Sequence, residues 1–353
     1  MTACIFVYEE KAAVAFACEE EKMSEEKGKK RGRVSIQAYG KINLCLDVKG
    51  TLPGGYHEVA MVMQQILLSD DVAVKWTPER RPAGGDAPGG ESADVGIRIS
   101  LGTNRPYLPK DRRNLAWQAA ELMAQKYGEG LTGEIRIDIK KRIPVAAGLA
   151  GGSSNCAAVI HGINQLWDLG LSVKELNEVG AELGSDVPFC IMGQAAADPG
   201  LKFQFVDDPL ACHCAVATGR GTELEPAAGL VSHLVLSKPP ISVSTAEVYR
   251  GIDEEEIPSR PDIGEMIRAL KAGDMDGIEK NMVNVLENYT LKRYPIVVYT
   301  KNKMQGLCNR GQVLMSRSGP TVFGLCKSSE DARSVCREMK AENRESFWTR
   351  TTY

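Results

Sequence analysis

The run Pro144-Val145-Ala146-Ala147-Gly148-Leu149-Ala150-Gly151-Gly152-Ser153-Ser154-Asn155 is built almost wholly from small side chains. Ahead of it Ile135, Ile137 and Ile139 alternate with Arg136, Asp138 and Lys140, the two-residue period of a half-buried strand. Behind it Cys156, Ile160, Ile163 and Trp167 recur at helical spacing until Gly170. A small-residue loop between a strand and a helix start can bring several backbone N–H groups to one anion. The partial positive charge of the helix N-terminus adds to them, so the segment suits a phosphate. It lacks the Gly-Lys-Ser/Thr ending of a P-loop and the Gly-x-Gly-x-x-Gly of a dinucleotide fingerprint. A phosphate loop without its own lysine needs positive charge from elsewhere in the fold.

Two titratable residues outside the loop complete a reaction. Lys41 lies beside Asn43 on the polar face of a strand, and Asp186 follows a helix end at Gly184 within Ser185-Asp186-Val187-Pro188. Alone, the first reads as an exposed charge and the second as a turn former. Paired beside a phosphate they make chemical sense. The carboxylate accepts a hydroxyl proton, while the ammonium stabilises the developing alkoxide and keeps the carboxylate ionised. Cys212-His213-Cys214 has no second pair at ligand spacing and reads as incidental, so no metal ligand is expected from side chains.

The elements that must position these groups are legible in outline. A chain of 353 residues suggests two domains, and a net charge of −3 gives no basic field for nucleic acid. No apolar run approaches the roughly 18 residues of a membrane helix. Ten scattered cysteines without a CxxC pair fit a reducing, cytoplasmic setting. Residues 1–33 read as a disordered extension ending in a solvated basic cluster, with Met23 as an alternative start. From Val34 a strand begins, with Ile42, Leu44, Leu46 and Val48 expected on one face and Lys41, Asn43 and Cys45 on the other. Residues 77–95 read as a surface loop, and Asn114 to Lys126 as an amphipathic helix. Ser172 to Glu175 is a capping box for a helix ending at Gly184. Residues 198–214 break the pattern as an insertion or linker. Beyond them, strands at Leu234–Leu236 and Thr321–Leu325 mix with helices at Asp262–Ala272, Met275–Glu287 and Glu330–Met339. An α+β class follows, with domains at 34–197 and 215–353.

Five segments occur in a telling order: Ala38 to Leu44, Gly55 to Glu58, Pro144 to Asn155, Ser185 to Phe189, and Met315 to Gly324. Over roughly residues 34–340 the chain thereby resembles the GHMP small-molecule kinases. The resemblance implies a ribosomal protein S5 domain 2-like N-terminal domain and a ferredoxin-like C-terminal domain, with the active site between them. It implies ATP as phosphate donor, with Mg2+ as its counterion. Pro144, Ala147, Gly148, Leu149, Ala150, Gly151, Gly152, Ser153 and Ser154 would wrap the phosphates, with Asn114 and Lys141 near the nucleotide. Asp186 would act as general base with Lys41 beside it. Within the family, Tyr56 and His57 match a branch that recognises a cytidine-diphosphate-linked acceptor, with Asn43, Thr245 and Tyr249 also facing it. Tyr249 reads equally well as a core tyrosine. The resemblance implies neither nucleic acid nor membrane partners, and a monomer or homodimer. The alternatives are a GHMP kinase for mevalonate, homoserine or a sugar, or a nucleotide-binding homologue with impaired catalysis.

Two departures stand out. Where the family usually reads Ser-Gly-Ser-Gly, this chain has Ser316-Arg317-Ser318-Gly319. An arginine there either strains a backbone with positive φ or adds a phosphate-binding charge. About twenty residues also intervene between Gly193-Gln194-Ala195 and Thr218-Gly219-Arg220-Gly221, where the family runs on directly.

Overall fold

Strand β1 (Gly32–Thr51) and strand β2 (His57–Pro78) form one long antiparallel ribbon, turned by Gly54 and Gly55, whose φ of 90° and 78° only glycine adopts freely. They belong to a computed structural model that describes residues 30–79 and 96–353. The expected N-terminal extension therefore lies outside the described residues except at its end, where Gly32 and Arg33 open β1. So does most of the expected 77–95 loop, although Thr77 and Pro78 close β2.

Strands β3 (Ile97–Thr103) and β4 (Gly133–Lys140) run parallel to each other, and β4 pairs antiparallel with the C-terminal half of β2. On the same side of β2, its N-terminal half pairs with β5 (Cys214–Thr218), which pairs with β6 (Glu223–Pro226). Helices α1 (Leu115–Tyr127), α2 (Gly151–Leu166), α3 (Val173–Leu183) and α4 (Val187–Ala197) belong to this sheet's half of the chain. Trp76 of β2 and Trp167 at the end of α2 meet edge to face, with ring centroids 5.5 Å apart. The capping box at Ser172 and Glu175 opens α3 as expected.

The second sheet contains β7 (His233–Lys238), β8 (Arg310–Met315), β9 (Val322–Cys326) and β10 (Glu345–Arg350), ordered β10-β7-β9-β8 and antiparallel throughout. Between β7 and β8 run α5 (Thr245–Ile252), α6 (Ile263–Ala272), α7 (Met275–Lys280), α8 (Glu287–Arg293) and α9 (Pro295–Leu307); α10 (Ser329–Glu342) joins β9 to β10. Reduced to its sheet connections this is the β-α-β-β-α-β path of a ferredoxin-like domain.

Several expectations need correction. Ile42, Leu44, Leu46 and Val48 do not share one face. A register shift between Asn43 and Cys45 adds a residue, so Ile42 and Leu44 enter the cluster bridging the two sheets while Leu46 and Val48 enter the main core. The helix expected over Met275–Glu287 stops at Lys280. The chain then turns extended so that Val283 O and Val285 N bond Leu46, and helix resumes at Glu287. The boundary expected at residue 215 is displaced, because β5 and β6 belong to the first sheet. The stretch expected as an insertion packs on that domain. Leu201 and Phe205 are buried, Asp198 accepts from the Gln37 amide, and Asp208 accepts from the Val173 amide at the start of α3.

That packing fixes a titratable group. His161 of α2 is fully buried, its Nε2 donates to the Ile191 carbonyl of α4, and its ring lies 5.4 Å from Phe205. Burial lowers its pKa from 6.5 to about 4. Between those values the unfolded chain binds a proton that the folded chain does not, so stability falls as pH drops through that window. Urea titrations from pH 7 to 4 are expected to show this loss, at up to about 1.4 kcal/mol per pH unit, with the slope reduced in His161→Gln. Identical slopes in both proteins would remove His161 as its source.

Candidate active site

The loop from Pro144 to Ala150 gains its shape from three left-handed residues at alternate positions, Ala146 (φ 50°), Gly148 (φ 73°) and Ala150 (φ 56°). Each alanine pays roughly 1 kcal/mol or more for this, a strain that persists only where neighbours over-determine the backbone. Those neighbours are identifiable. The Lys41 amide donates to the Leu149 carbonyl, and the Ser316 hydroxyl donates to the Gly148 carbonyl. A Cβ on Gly148 would overlap the Ser316 carbonyl oxygen, so glycine is required there for approach as well as for φ. Ala150 is the N-cap of α2 and brings no side-chain cap, leaving the first amides of that helix without a side-chain acceptor.

Below the loop, the buried carboxylate of Asp70 on β2 gathers the entry strand and the helix. It accepts from the Arg142 and Ile143 amides at 2.6 and 2.8 Å, and from Asn155 Nδ2 at 2.8 Å. It also pairs with the Lys141 ammonium, which donates to Asn155 Oδ1 at 3.1 Å. Burial lowers the Lys141 pKa and Asp70 opposes that shift. Gly151 passes this ammonium so closely that a Cβ would lie 3.0 Å from Nζ.

A cavity of about 510 Å³ opens over the loop. Its lining brings together Asn114, Lys141, Pro144, Ala147, Gly148, Ala150, Gly151, Gly152 and Ser153 with Asp186, Thr245 and Arg317. Asn114 is spoken for locally, since its Oδ1 caps α1 and its Nδ2 donates to the Pro109 carbonyl. Two residues expected around the phosphates do not line the cavity. Leu149 is buried in the cluster between the sheets, and the Ser154 hydroxyl turns inward to donate to the Tyr39 carbonyl at 2.6 Å. A helix leaving the loop must bury one side, and Ser154 falls on it.

Asp186 is the N-cap of α4, followed by Pro188 in its first turn, and its side chain is 3% exposed. The helix dipole there favours a carboxylate. Its ion-pair partner among the described residues is Arg317, not the expected Lys41. Lys41, 1% exposed, donates instead to Asn43 Oδ1 at 2.6 Å, and Asn43 Nδ2 faces Met61 Sδ. Burial, then the Arg317 charge, lowers the Lys41 pKa well below the usual lysine value. The register shift between Tyr39 and Lys41 turns that side chain inward, and sequence alternation alone does not reveal it.

Tyr56, His57 and Tyr249 lie outside the lining of this cavity, and the last two meet at α5. His57 Nε2 meets the Asp253 carboxylate at 2.9 and 3.0 Å, and the His57 ring lies 5.3 Å from that of Tyr249. Burial raises the Tyr249 pKa. Tyr56 is 52% exposed with the Arg220 guanidinium 3.5 Å above its ring. Thr245 belongs to the phosphate cavity and donates to or accepts from Ser318 at 2.9 Å, so α5 spans both groups. Sequence reasoning missed Asp70, Arg220 and Asp253. Nothing local marks them, because each acts through a partner distant along the chain.

The comparisons with known proteins show the family. Residues 114–194 match the GHMP kinases N terminal domain, and residues 266–345 the GHMP kinases C terminal domain. A protein of Geobacillus kaustophilus (strain HTA426) named 4-diphosphocytidyl-2-C-methyl-D-erythritol kinase is 45% identical over 304 residues, 86% of this chain and 91% of its own. One of the same name from Alkaliphilus metalliredigens (strain QYMF) is 42% identical over the same shares. A crystal structure of 4-(cytidine 5'-diphospho)-2C-methyl-D-erythritol kinase superposes with a TM-score of 0.68 at 28% identity, covering 91% of this chain and all of that one.

The loop's dependence on Gly148 can be checked directly. Gly148→Ala is expected to lower the melting temperature and to weaken ATP binding at least tenfold by titration calorimetry. Unchanged affinity would mean that the backbone approach to Ser316 does not shape the loop.

Proposed function

The chain belongs to the GHMP kinases, within the family of the 4-diphosphocytidyl-2-C-methyl-D-erythritol kinases, and from that premise we propose how its cleft carries out the reaction. The enzyme transfers the γ-phosphate of ATP to the 2-hydroxyl of 4-diphosphocytidyl-2-C-methyl-D-erythritol, a step of non-mevalonate isoprenoid biosynthesis. The observation that carries the reading is the single cavity in which the glycine loop, the start of α2 and Asp186 converge.

In this reading the backbone amides of Gly148 to Ser153 hold the phosphates, in a charged environment supplied by Lys141 and Arg317. Asp186 takes the proton of the acceptor hydroxyl as its oxygen bonds to the γ-phosphorus. The bond from that phosphorus to the bridging oxygen breaks and ADP leaves. Lys41 does not hold Asp186 directly. It lies buried beside Asn43, and the phosphates entering the cleft favour its charged form. Catalysis is thus mostly positioning and electrostatic stabilisation.

Magnesium accompanies the nucleotide. Among the described residues no cluster of three or more His, Cys, Asp or Glu side chains is arranged as a metal cage, and Asp186, the one carboxylate lining the cavity, is paired. That donor set fits a magnesium held chiefly by phosphate oxygens and water, which would neutralise phosphate charge there. At the acceptor end, His57 Nε2 meets the Asp253 carboxylate, which orients the ring and leaves Nδ1 as its other polar atom for a base edge. Tyr249 lies against that imidazole, and the neighbouring Tyr56, 52% exposed, offers an aromatic ring for a base to stack on. An aromatic-plus-imidazole pair suits a nucleobase better than it suits mevalonate, homoserine or a sugar.

A coupled ATPase assay with the cytidyl-diphosphate acceptor tests this. Asp186→Asn is expected to lower turnover by roughly 10²- to 10⁴-fold, and Lys41→Ala by at least tenfold. Free cytidine nucleotides are expected to compete with the acceptor. Turnover within a few-fold of wild type in both variants would contradict the assigned roles, and absence of competition would contradict cytidine recognition.

A further inference from the structure

Arg317 sits in the turn between β8 and β9 with a φ of 53°, in the left-handed region. The turn that imposes this is held from several directions. Asn284 Nδ2 donates to the Met315 and Arg317 carbonyls at 2.7 Å each, and Ser316 N donates to Thr321 O. Ser316 also bonds the glycine loop, and Ser318 bonds Thr245 of α5. A turn held this firmly could carry glycine at position 317 with no strain, yet it carries the bulkiest cation available.

The guanidinium is aimed into the phosphate cavity. Nη2 donates to Ser185 Oγ at 3.2 Å, another terminal nitrogen pairs with Asp186 Oδ2, and the side chain lines the same wall as Gly148, Gly151 and Ser153. Two polar atoms of this arrangement are buried without a hydrogen-bond partner among the described residues, Arg317 Nε and Asp186 Oδ1. Buried donors and acceptors are costly to leave unsatisfied, so the pair as it stands does not meet the full bonding capacity of either group. The other buried cation on the wall, Lys141, already has its charge matched by Asp70 and Asn155. Arg113 lies at the rim, exposed and paired with Asp111.

We propose that Arg317 is a phosphate ligand of the cleft, held on Asp186 and Ser185 before the nucleotide binds and turned toward the terminal phosphate of ATP when it does. The planar fork of a guanidinium suits that exchange, since it can offer two parallel donors to a phosphate as readily as to a carboxylate. Release of Asp186 then leaves its carboxylate free to meet the acceptor hydroxyl, so the base becomes available only when the donor is present. This inference rests on the kinase reading above, but its test needs no acceptor, so the two can fail separately.

Titration calorimetry of ATP, ADP and AMP against wild type, Arg317→Gly and Arg317→Lys provides that test. Arg317→Gly is expected to weaken ATP tenfold or more and ADP by less, with AMP within twofold. Its melting temperature is expected to fall, because loss of the pair leaves the buried Asp186 carboxylate without its cation, an effect larger than the relief of backbone strain at residue 317. Arg317→Lys is expected to fall between, keeping the charge and losing the fork. If Arg317→Gly fails to fold, the contrast between ATP and AMP in Arg317→Lys decides the matter alone. Unchanged ATP affinity, or equal weakening of ATP and AMP, would overturn the proposal.

Discussion

The carboxylate of Asp70 is the point on which the phosphate cleft depends. It is fully buried and accepts from two backbone amides, one asparagine and one ammonium, so β2, the exit of β4 and the first turns of α2 converge on one residue. A buried charge is tolerated only when paired and hydrogen-bonded, and breaking such a pair costs about 3–5 kcal/mol. The arrangement has few alternatives, since removing Asp70 or Lys141 leaves the other as an unpaired buried charge. Because the Arg142 and Ile143 amides are among those partners, the chain enters the glycine loop from a fixed position.

From that anchor the rest of the site follows by contact between the domains. The loop is left-handed at three alternate residues, and the turn of the second domain holds its middle through Ser316. The same turn carries Arg317 to Asp186 and reaches α5 through Ser318, while α5 carries Tyr249 and, just beyond it, Asp253 toward His57. The glycine loop and His57 are thus both braced by the second domain, through this turn and α5. The strain at Ala146, Ala150 and Arg317, roughly 1 kcal/mol or more each, is concentrated at the functional surface, where over-determined neighbours can sustain it.

Much of this was legible in the sequence. Alternating isoleucines before the loop and helical spacing after it located strand, loop and α2, because local periodicity survives when one face is buried. The capping box at Ser172 was readable from its residue types, and the expected helix from Asn114 forms with that residue as its N-cap. What was not legible depended on partners far along the chain. Two β-bulges turned Lys41 inward and split Ile42 and Leu44 from Leu46 and Val48, a change that leaves no trace in simple alternation. A helical pattern over Met275–Glu287 yielded to the bonds that Val283 and Val285 make with β1. Nothing in the local sequence marks Asp70, and Arg317 poses a choice between strain and a phosphate-directed charge. The structure shows the strained backbone together with a guanidinium that enters the cleft.

The central claim is that a buried carboxylate sets the loop that holds the phosphates. The ATP affinity of Asp70→Asn measures this most directly, since the substitution keeps the size of the side chain while it removes the negative charge and turns one of the two accepting oxygens into a donor. A folded protein by circular dichroism is expected, with ATP affinity at least tenfold weaker. An affinity equal to that of wild type would contradict the claim.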